Sequence, residues 1–405
     1  MSATKGIRNK PRIPQPVKDK KYKYLWSKAQ NEDVIKKAWK NLRKGKTKRE
    51  GVKAIEANFA DEVKKMQKLI RDTVPEHPEQ GYMPPKVRKT KVVHEHGKRR
   101  TAHLADIHEQ WYFHILVEVL KPIILRRLNG TVCGCVPGRG AHSGKKMLER
   151  QIRKGIKYFI KGDVRHFYDN LRIKVVMRML RRDISDERFL YLIAKIYMYR
   201  HKGILIGLYI SPWIANYALV PLDEILDRTE GIEAVRYVDD IVVTGNNKRI
   251  LHTVRVQMQQ ILGKLRLKLK RTFQVCRFDY LSKKTRTDAY GNVTRIRVGR
   301  DIDFMGFRFY RDRTIIRKRI MLSATRTARR LHKAKEAGRR YYARSVRGMV
   351  SKMGWFSCTD SYDCYLANVK PYVDIRRLKR IISKLDKEDR QNDGMEERNL
   401  LNSAA

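Results

Sequence analysis

Two adjacent carboxylates, Asp239 and Asp240, stand inside the run Arg236-Tyr237-Val238-Asp239-Asp240-Ile241-Val242-Val243. The β-branched residues on either side call for two strands, with the acidic pair at the turn between them. Neighbouring anions among apolar strands are costly unless something cationic sits between or beside them. A third carboxylate stands upstream, where the short apolar strand Tyr158-Phe159-Ile160 runs into Gly162-Asp163-Val164. The end of a strand is the place from which one carboxylate reaches a neighbouring hairpin. Three such groups suit two Mg²⁺ ions roughly 3.5–4 Å apart, with Mn²⁺ as a substitute. One ion would activate an attacking hydroxyl and the other would stabilise a leaving pyrophosphate. The plainer alternative is a solvated Asp-Asp turn.

Charge narrows the partners. Lysine and arginine number 92 against 42 acidic residues, a net charge of +50 over 405 residues. Such self-repulsion opposes compaction until a polyanion neutralises it, which makes nucleic acid the expected partner and a membrane surface a distant second. No apolar run approaches the ~18 residues of a membrane span. The basic N-terminus lacks the apolar segment of a secretory signal. Five cysteines, Cys133, Cys135, Cys276, Cys358 and Cys364, form no CxxC pair, so the expectation is a reduced, cytoplasmic protein.

Residues 1–24 read as a basic arm. Apolar residues recur at three- and four-residue steps from Asn31 to Thr73, and residues 81–104 suggest a basic hairpin turning at Gly97. A helix follows from Asp106 to Leu128, with a break or kink at Pro122. Gly134, Gly138 and Gly140 mark a turn. Helices are expected over 173–199, 213–228 and 250–266, and β-structure over 268–280 and 294–310 around a turn at Asp288–Asn292. From Ser323 to Ile382 the chain reads as helical and strongly basic, and the last 20 residues as a polar tail.

Taken together, these stretches resemble the reverse transcriptases. Tyr237-Val238-Asp239-Asp240 resembles their YxDD box, and Gly162-Asp163 through Asp169 their first palm motif. Ile206-Gly207-Leu208-Tyr209-Ile210-Ser211-Pro212 resembles the QGxxxSP box, with Ala215-Asn216 on its helix. Phe304-Met305-Gly306-Phe307 is similar to the primer-grip hairpin. Asp106 through Pro122 and Pro137-Gly138-Arg139-Gly140 resemble the fingers motifs of bacterial members, and Gly354-Trp355 with Asp360-Ser361-Tyr362 a thumb motif. The resemblance implies an α+β right-hand polymerase: fingers over 25–155, a palm of antiparallel sheet with helices over 156–310, and a short helical thumb over 311–385. The polar tail, 386–405, lies beyond it.

It also implies roles. Asp163, Asp239 and Asp240 match the metal-binding carboxylates, with the main-chain carbonyl of Val164 beside them, whose side chain should then matter less. Tyr168 matches the aromatic gate that rejects a 2′-hydroxyl and so favours deoxynucleoside triphosphates. Lys98, Arg99 and Arg100 lie where the triphosphate is gripped. Gly207 would allow close approach of the incoming base pair, and Ser211-Pro212 would start a helix beneath the template. Tyr237, Met305 and Gly306 would meet template or primer, and Lys270 is a candidate proton donor to pyrophosphate. Ile206 stands where most relatives carry glutamine, as in diversity-generating retroelements. The implied activity is RNA-templated DNA synthesis in a retroelement, leaning to that class; an antiphage defence or retron-type enzyme is the alternative. A rival of another class is an RNA-binding splicing or assembly factor on a polymerase scaffold. Implied partners are an RNA template, an RNA–DNA duplex and a structured non-coding RNA, with room for an accessory protein.

Overall fold

The computed structural model describes residues 21–95, 98–200, 203–271 and 273–386, with backbone alone for His94, Glu95 and Lys98. The expected turn at Gly97, the polar tail and residues 1–20 of the basic arm lie outside the described residues.

The N-terminal helical pattern resolves into α1 (Leu25–Gln30), α2 (Glu32–Arg43), α3 (Glu50–Ala57) and α4 (Phe59–Asp72). The side chain of Asn31 caps α2 by accepting from the N–H groups of Asp33 and Val34 at 2.8 and 3.4 Å. Ile35, Trp39 and Leu42 of α2, and Val63, Met66 and Ile70 of α4, are buried. Their partner is α5 (Ile107–Arg127), where Trp111 meets Trp39 at a ring separation of 4.8 Å. The expected break at Pro122 does not occur, and α5 runs through it as one helix. Burial of Val119, Leu120, Ile123 and Ile124 around that turn outweighs a local proline penalty of about 3 kcal/mol. Strands β1 (Thr90–Glu95) and β2 (Lys98–His103) form the expected basic hairpin.

The central sheet comprises β3 (Tyr158–Asp163), β4 (Ile232–Tyr237), β5 (Asp240–Gly245) and β6 (Val275–Arg277), ordered β4-β5-β3-β6 and antiparallel throughout. Period-two alternation divides its side chains between two cores. Ile160, Ala234, Ile241 and Val243 enter one, shared with α12 (Lys248–Lys264) through Val254 and Met258. Phe159, Val235 and Val242 enter the other, with Leu148 and Ile152 of α6 (Ala141–Arg153). Coverage on both faces explains why these strands read as continuous apolar runs.

Between β3 and β4 lie α7 (Phe167–Asn170), α8 (Ile173–Asp183), α9 (Glu187–Lys195), α10 (Ser211–Ala218) and α11 (Val220–Arg228). The helix expected over 173–199 is two, because Asp186 caps α9 by accepting from the Phe189 N–H at 3.0 Å. After β6 come a two-stranded ribbon, β7 (Tyr280–Thr287) with β8 (Val293–Val298), and a small antiparallel sheet of β9 (Ile302–Phe304), β10 (Phe307–Phe309) and β11 (Thr314–Ile316). Helices α13 (Lys318–Glu336), α14 (Ala343–Ser357) and α15 (Tyr362–Asn368) follow, and residues 375–386 are helical. The fold is a mixture of helix and antiparallel sheet, as expected. All five cysteines are free. Among the described residues no helix is long and apolar enough to cross a membrane.

Candidate active site

Tyr237 and Asp240 are paired across the β4–β5 hairpin, which leaves Val238 and Asp239 as a two-residue turn. Val238 adopts φ +57°, a region in which a β-branched residue costs about 1–2 kcal/mol. Hairpin turns of this kind ordinarily place glycine there. A buried network holds the turn. The Arg236 guanidinium donates to the Val238 carbonyl at 2.8 Å and to Asn216 Oδ1 at 3.0 Å. It also grips Asp223 through two bonds, of 2.6 and 2.5 Å. Burial pushes the Asp223 carboxyl up, and Arg236 pulls it the other way. Asn216 Nδ2 in turn donates to the Gly134 carbonyl at 2.8 Å. Gly134 is packed so closely on the turn that a Cβ there would lie 2.6 Å from the Val238 nitrogen.

Asp163, the last residue of β3, is the cross-strand partner of Asp240, so the three expected carboxylates share one end of the sheet. Burial, the Asp240 charge and the Asp163 charge push the Asp239 carboxyl up to about 6, with Arg100 opposing. Burial and Asp163 likewise raise Asp240, against the pull of Lys161, Arg317 and Lys270. Lys270 Nζ is ion-paired directly to Asp163 Oδ2. Among the described residues no three acidic, histidine or cysteine side chains converge on one metal-sized point. The donor set nonetheless suits a hard divalent cation: carboxylate oxygens only, repelling one another in a half-buried setting. The Val164 side chain, expected to matter little, is 1 % exposed and belongs to the core. Its neighbours bond to the facing segment, Lys270 N–H to Asp163 O at 2.9 Å and Arg165 N–H to Lys268 O at 2.8 Å. Strand alternation then turns the Val164 carbonyl the opposite way, toward β5.

Tyr168 is partly buried beside the same pair. Burial raises its phenol, Cys135 and Asp239 add to the rise, and Arg100 opposes it. Of the hairpin cations it is Arg100 whose charge acts on Asp239 and Tyr168; Arg99 and Arg100 are both exposed, and the side chain of Lys98 lies outside the described ones. Gly207 has a close neighbour within the chain. At φ +107° it lies against the hairpin backbone, where a Cβ would collide with the His103 carbonyl. The adjoining Ile206 carbonyl accepts from the His103 N–H at 2.7 Å.

A family model described as reverse transcriptase (RNA-dependent DNA polymerase) matches residues 36–281, more than half of the chain. The chain belongs to the reverse transcriptase family. That family is one of RNA-directed DNA polymerases, which copy RNA templates from deoxynucleoside triphosphates with divalent metal ions. A Schizosaccharomyces pombe protein named as an uncharacterized 91 kDa protein in cob intron is 28 % identical over 141 residues, 32 % of this chain and 17 % of the relative. The Escherichia coli protein YkfC is 24 % identical over 160 residues, 36 % of this chain and 42 % of the relative. The reverse transcriptase therefore spans less than half the length of either of these curated relatives.

Other residues expected at the site have packing neighbours within the chain. Ser211 and Pro212 open α10 as expected; Ser211 is its first residue, buried, with its hydroxyl 3.3 Å from the Tyr197 hydroxyl, and Pro212 occupies the first turn. Tyr237 is half-buried against the second core. Met305 and Gly306 form the β9–β10 turn at φ +51° and +90°, but the Met305 side chain is buried against Gly144. A Cβ on Gly306 would lie 2.7 Å from the Trp355 ring, and that ring packs on Phe307 at 4.7 Å. Reading the sequence missed Arg236, Asn216, Asp223 and Gly134 as one unit. The available signal was an arginine and an aspartate each set in an apolar run.

Proposed function

We propose that Asp163, Asp239 and Asp240, with the Val164 carbonyl, hold two divalent cations and that this chain extends a primer along RNA by in-line nucleotidyl transfer. The observation that carries the reading is the pairing of Asp163 with Asp240, one residue from Asp239. Bound there, the cations would supply Lewis acidity to the attacking hydroxyl and to the departing pyrophosphate. The protein's own part is placement. Arg236 and Gly134 fix the turn that presents Asp239, and Arg100 stands ready for the triphosphate. The Tyr168 ring closes the side on which a 2′-hydroxyl would lie. Lys270, free of Asp163 once a cation takes that carboxylate, is positioned to give a proton to pyrophosphate.

In this reading the N-terminal helices and basic hairpin are the fingers, the central sheet and its helices the palm, and the helices after residue 311 the thumb. Exposed Lys318, Arg319, Arg326, Arg329, Arg330 and Lys333 line α13 opposite its buried Ala324, Ala328 and Leu331. Such a face suits the phosphates of an RNA–DNA duplex. A cleft of about 420 Å³ between hairpin and palm, lined by Lys86, Arg88, His103 and Arg200 among others, suits the unpaired template ahead of it. A retroelement, leaning to the diversity-generating class on the strength of Ile206, is the biological setting; a structured RNA would be its partner.

Extension of a labelled DNA primer on RNA is the test. Asp239→Ala with Asp240→Ala brings synthesis to background, while the variant keeps its melting transition. Undiminished synthesis in that variant overturns the assignment. Sequencing nucleic acid copurified with the protein decides the setting, since adenine-directed errors are the expected mark of diversity generation.

A further inference from the structure

The ribbon β7–β8 lies at the end of the central sheet remote from the carboxylates. β6 leads into it at the pairing of Arg277 with Tyr158, while Asp163 ends the same β3 strand five residues later, about 16 Å away at ~3.3 Å per residue. Its base is firmly anchored. Buried Asp279 pairs with Arg297 and accepts from the Arg311 N–H at 2.8 Å, and Arg297 also bonds Asp312 at 2.7 Å. The Arg311 guanidinium covers the ring of buried Phe278 at 4.7 Å. The tip is ordered too: Asp288 accepts from the N–H groups of Tyr290 and Asn292, each at 2.9 Å, and Gly291 turns at φ +83°.

Between base and tip, almost nothing covers the strands. Both faces are open over most of the length, and a two-stranded ribbon without a core is marginal in water. What it displays is cationic and hydroxyl-bearing. Residues 280–298 carry Lys283, Lys284, Arg286, Arg295 and Arg297 against the single acid Asp288, which is spent on the turn. Lys283 and Lys284 stand in a bulge, Arg295 lies opposite Thr285, and Arg286 lies opposite Thr294. Tyr290 projects from the tip with 91 % of its surface exposed.

We infer that this ribbon docks a folded RNA, its lysines and arginines on the backbone of a stem and Tyr290 stacked on an unpaired base of the adjoining loop. The inference rests on the polymerase reading in taking RNA to be the polyanion that the protein meets. Threonine hydroxyls interleaved with guanidinium groups suit the shallow groove of an A-form helix, which displays 2′-hydroxyls between its phosphates. A ribbon of eight residues spans about 23 Å along that surface. Its remoteness from the carboxylates gives it an RNA other than the stretch being copied.

The test uses the full chain carrying Lys283→Ala, Lys284→Ala, Arg286→Ala and Arg295→Ala, all exposed positions, with Tyr290→Ala as a second variant. Probes are an RNA stem-loop of about 20 base pairs, a DNA stem-loop of the same sequence, and oligo(dT) extension on poly(rA). The quadruple variant is expected to bind the RNA stem-loop about tenfold or more weakly, with its salt slope reduced by about 3. Tyr290→Ala loses a few-fold with an unchanged slope, and both variants extend oligo(dT) as the parent does. Unchanged RNA affinity overturns the inference. So does an equal loss toward the DNA stem-loop, or a parallel loss of extension that would make the ribbon part of the template path. A parent protein that binds the stem-loop but extends no primer removes the polymerase reading alone, and the binding comparison still decides the ribbon.

Discussion

The two ends of the central sheet solve opposite problems. At one end, Val238 is held in a left-handed conformation by a buried guanidinium, a carboxylate, an amide and a close-packed glycine. At the other, β7–β8 stands clear of any core, with its polar side chains in solvent. The first end accepts strain and buried charge in return for fixed geometry. The second keeps only its base and tip rigid and leaves its flanks able to follow a partner. On the readings proposed above, chemistry uses over-determined positions in the central sheet, and recognition uses uncovered ones in the ribbon beside it.

Breaking the first end should be costly. Arg236→Met leaves Asp223 charged and unpaired, and is expected to cost about 3–5 kcal/mol in urea unfolding. Adding Asp223→Leu should restore much of that stability, because an apolar pair of similar volume replaces a buried ion pair at little net cost. Primer extension should remain impaired in the double variant, since the Val238 carbonyl has lost its donor; full recovery would show the network to be structural alone. Next in size, Gly134→Ala drives a methyl into the turn backbone and should cost about 1–3 kcal/mol, with a proportionally larger loss of extension than of stability.

The third prediction concerns pH. The folded chain binds the Asp239 proton at about 6, above the ordinary carboxylate range, so it holds that proton more tightly than the unfolded chain does. The resulting stability is complete below pH ~4 and is lost as pH rises through about 6. In buffer without divalent cations, Asp239→Asn should therefore melt higher than the parent at pH 8, by the equivalent of about 1–2 kcal/mol. The gain should vanish near pH 4; an equal gain at both values would sink this account. Smallest of all, Arg295→Ala in the ribbon should change stability by less than about 0.5 kcal/mol. A larger loss would mean that the ribbon packs on the body after all.

What the sequence made legible follows from the same contrast. Short apolar, β-branched runs, an acidic pair near a turn and an acid at a strand end are local patterns, and each resolves into the strand or hairpin that it suggested. Neighbours across space are not local. Gly207 reads as room for a ligand, and the His103 backbone that lies against it was not legible. Met305 and Gly306 read as a nucleic-acid contact, and their packing against Gly144 and Trp355 was not legible. Pro122 reads as a break, but burial on the rest of α5 overrides it. Arg236, one residue ahead of the box, stands in an apolar run that hints at burial, but its bond to the Val238 carbonyl is set by neighbours across space.

The ion pair between Lys270 and Asp163 carries a consequence of its own. On the proposed reading the ammonium group is an internal placeholder, which a metal ion taking Asp163 Oδ2 would displace. Loading the site and liberating the lysine become a single exchange, and each must favour the other to the same degree. A resting molecule in which no ion has arrived thus keeps its would-be acid tethered.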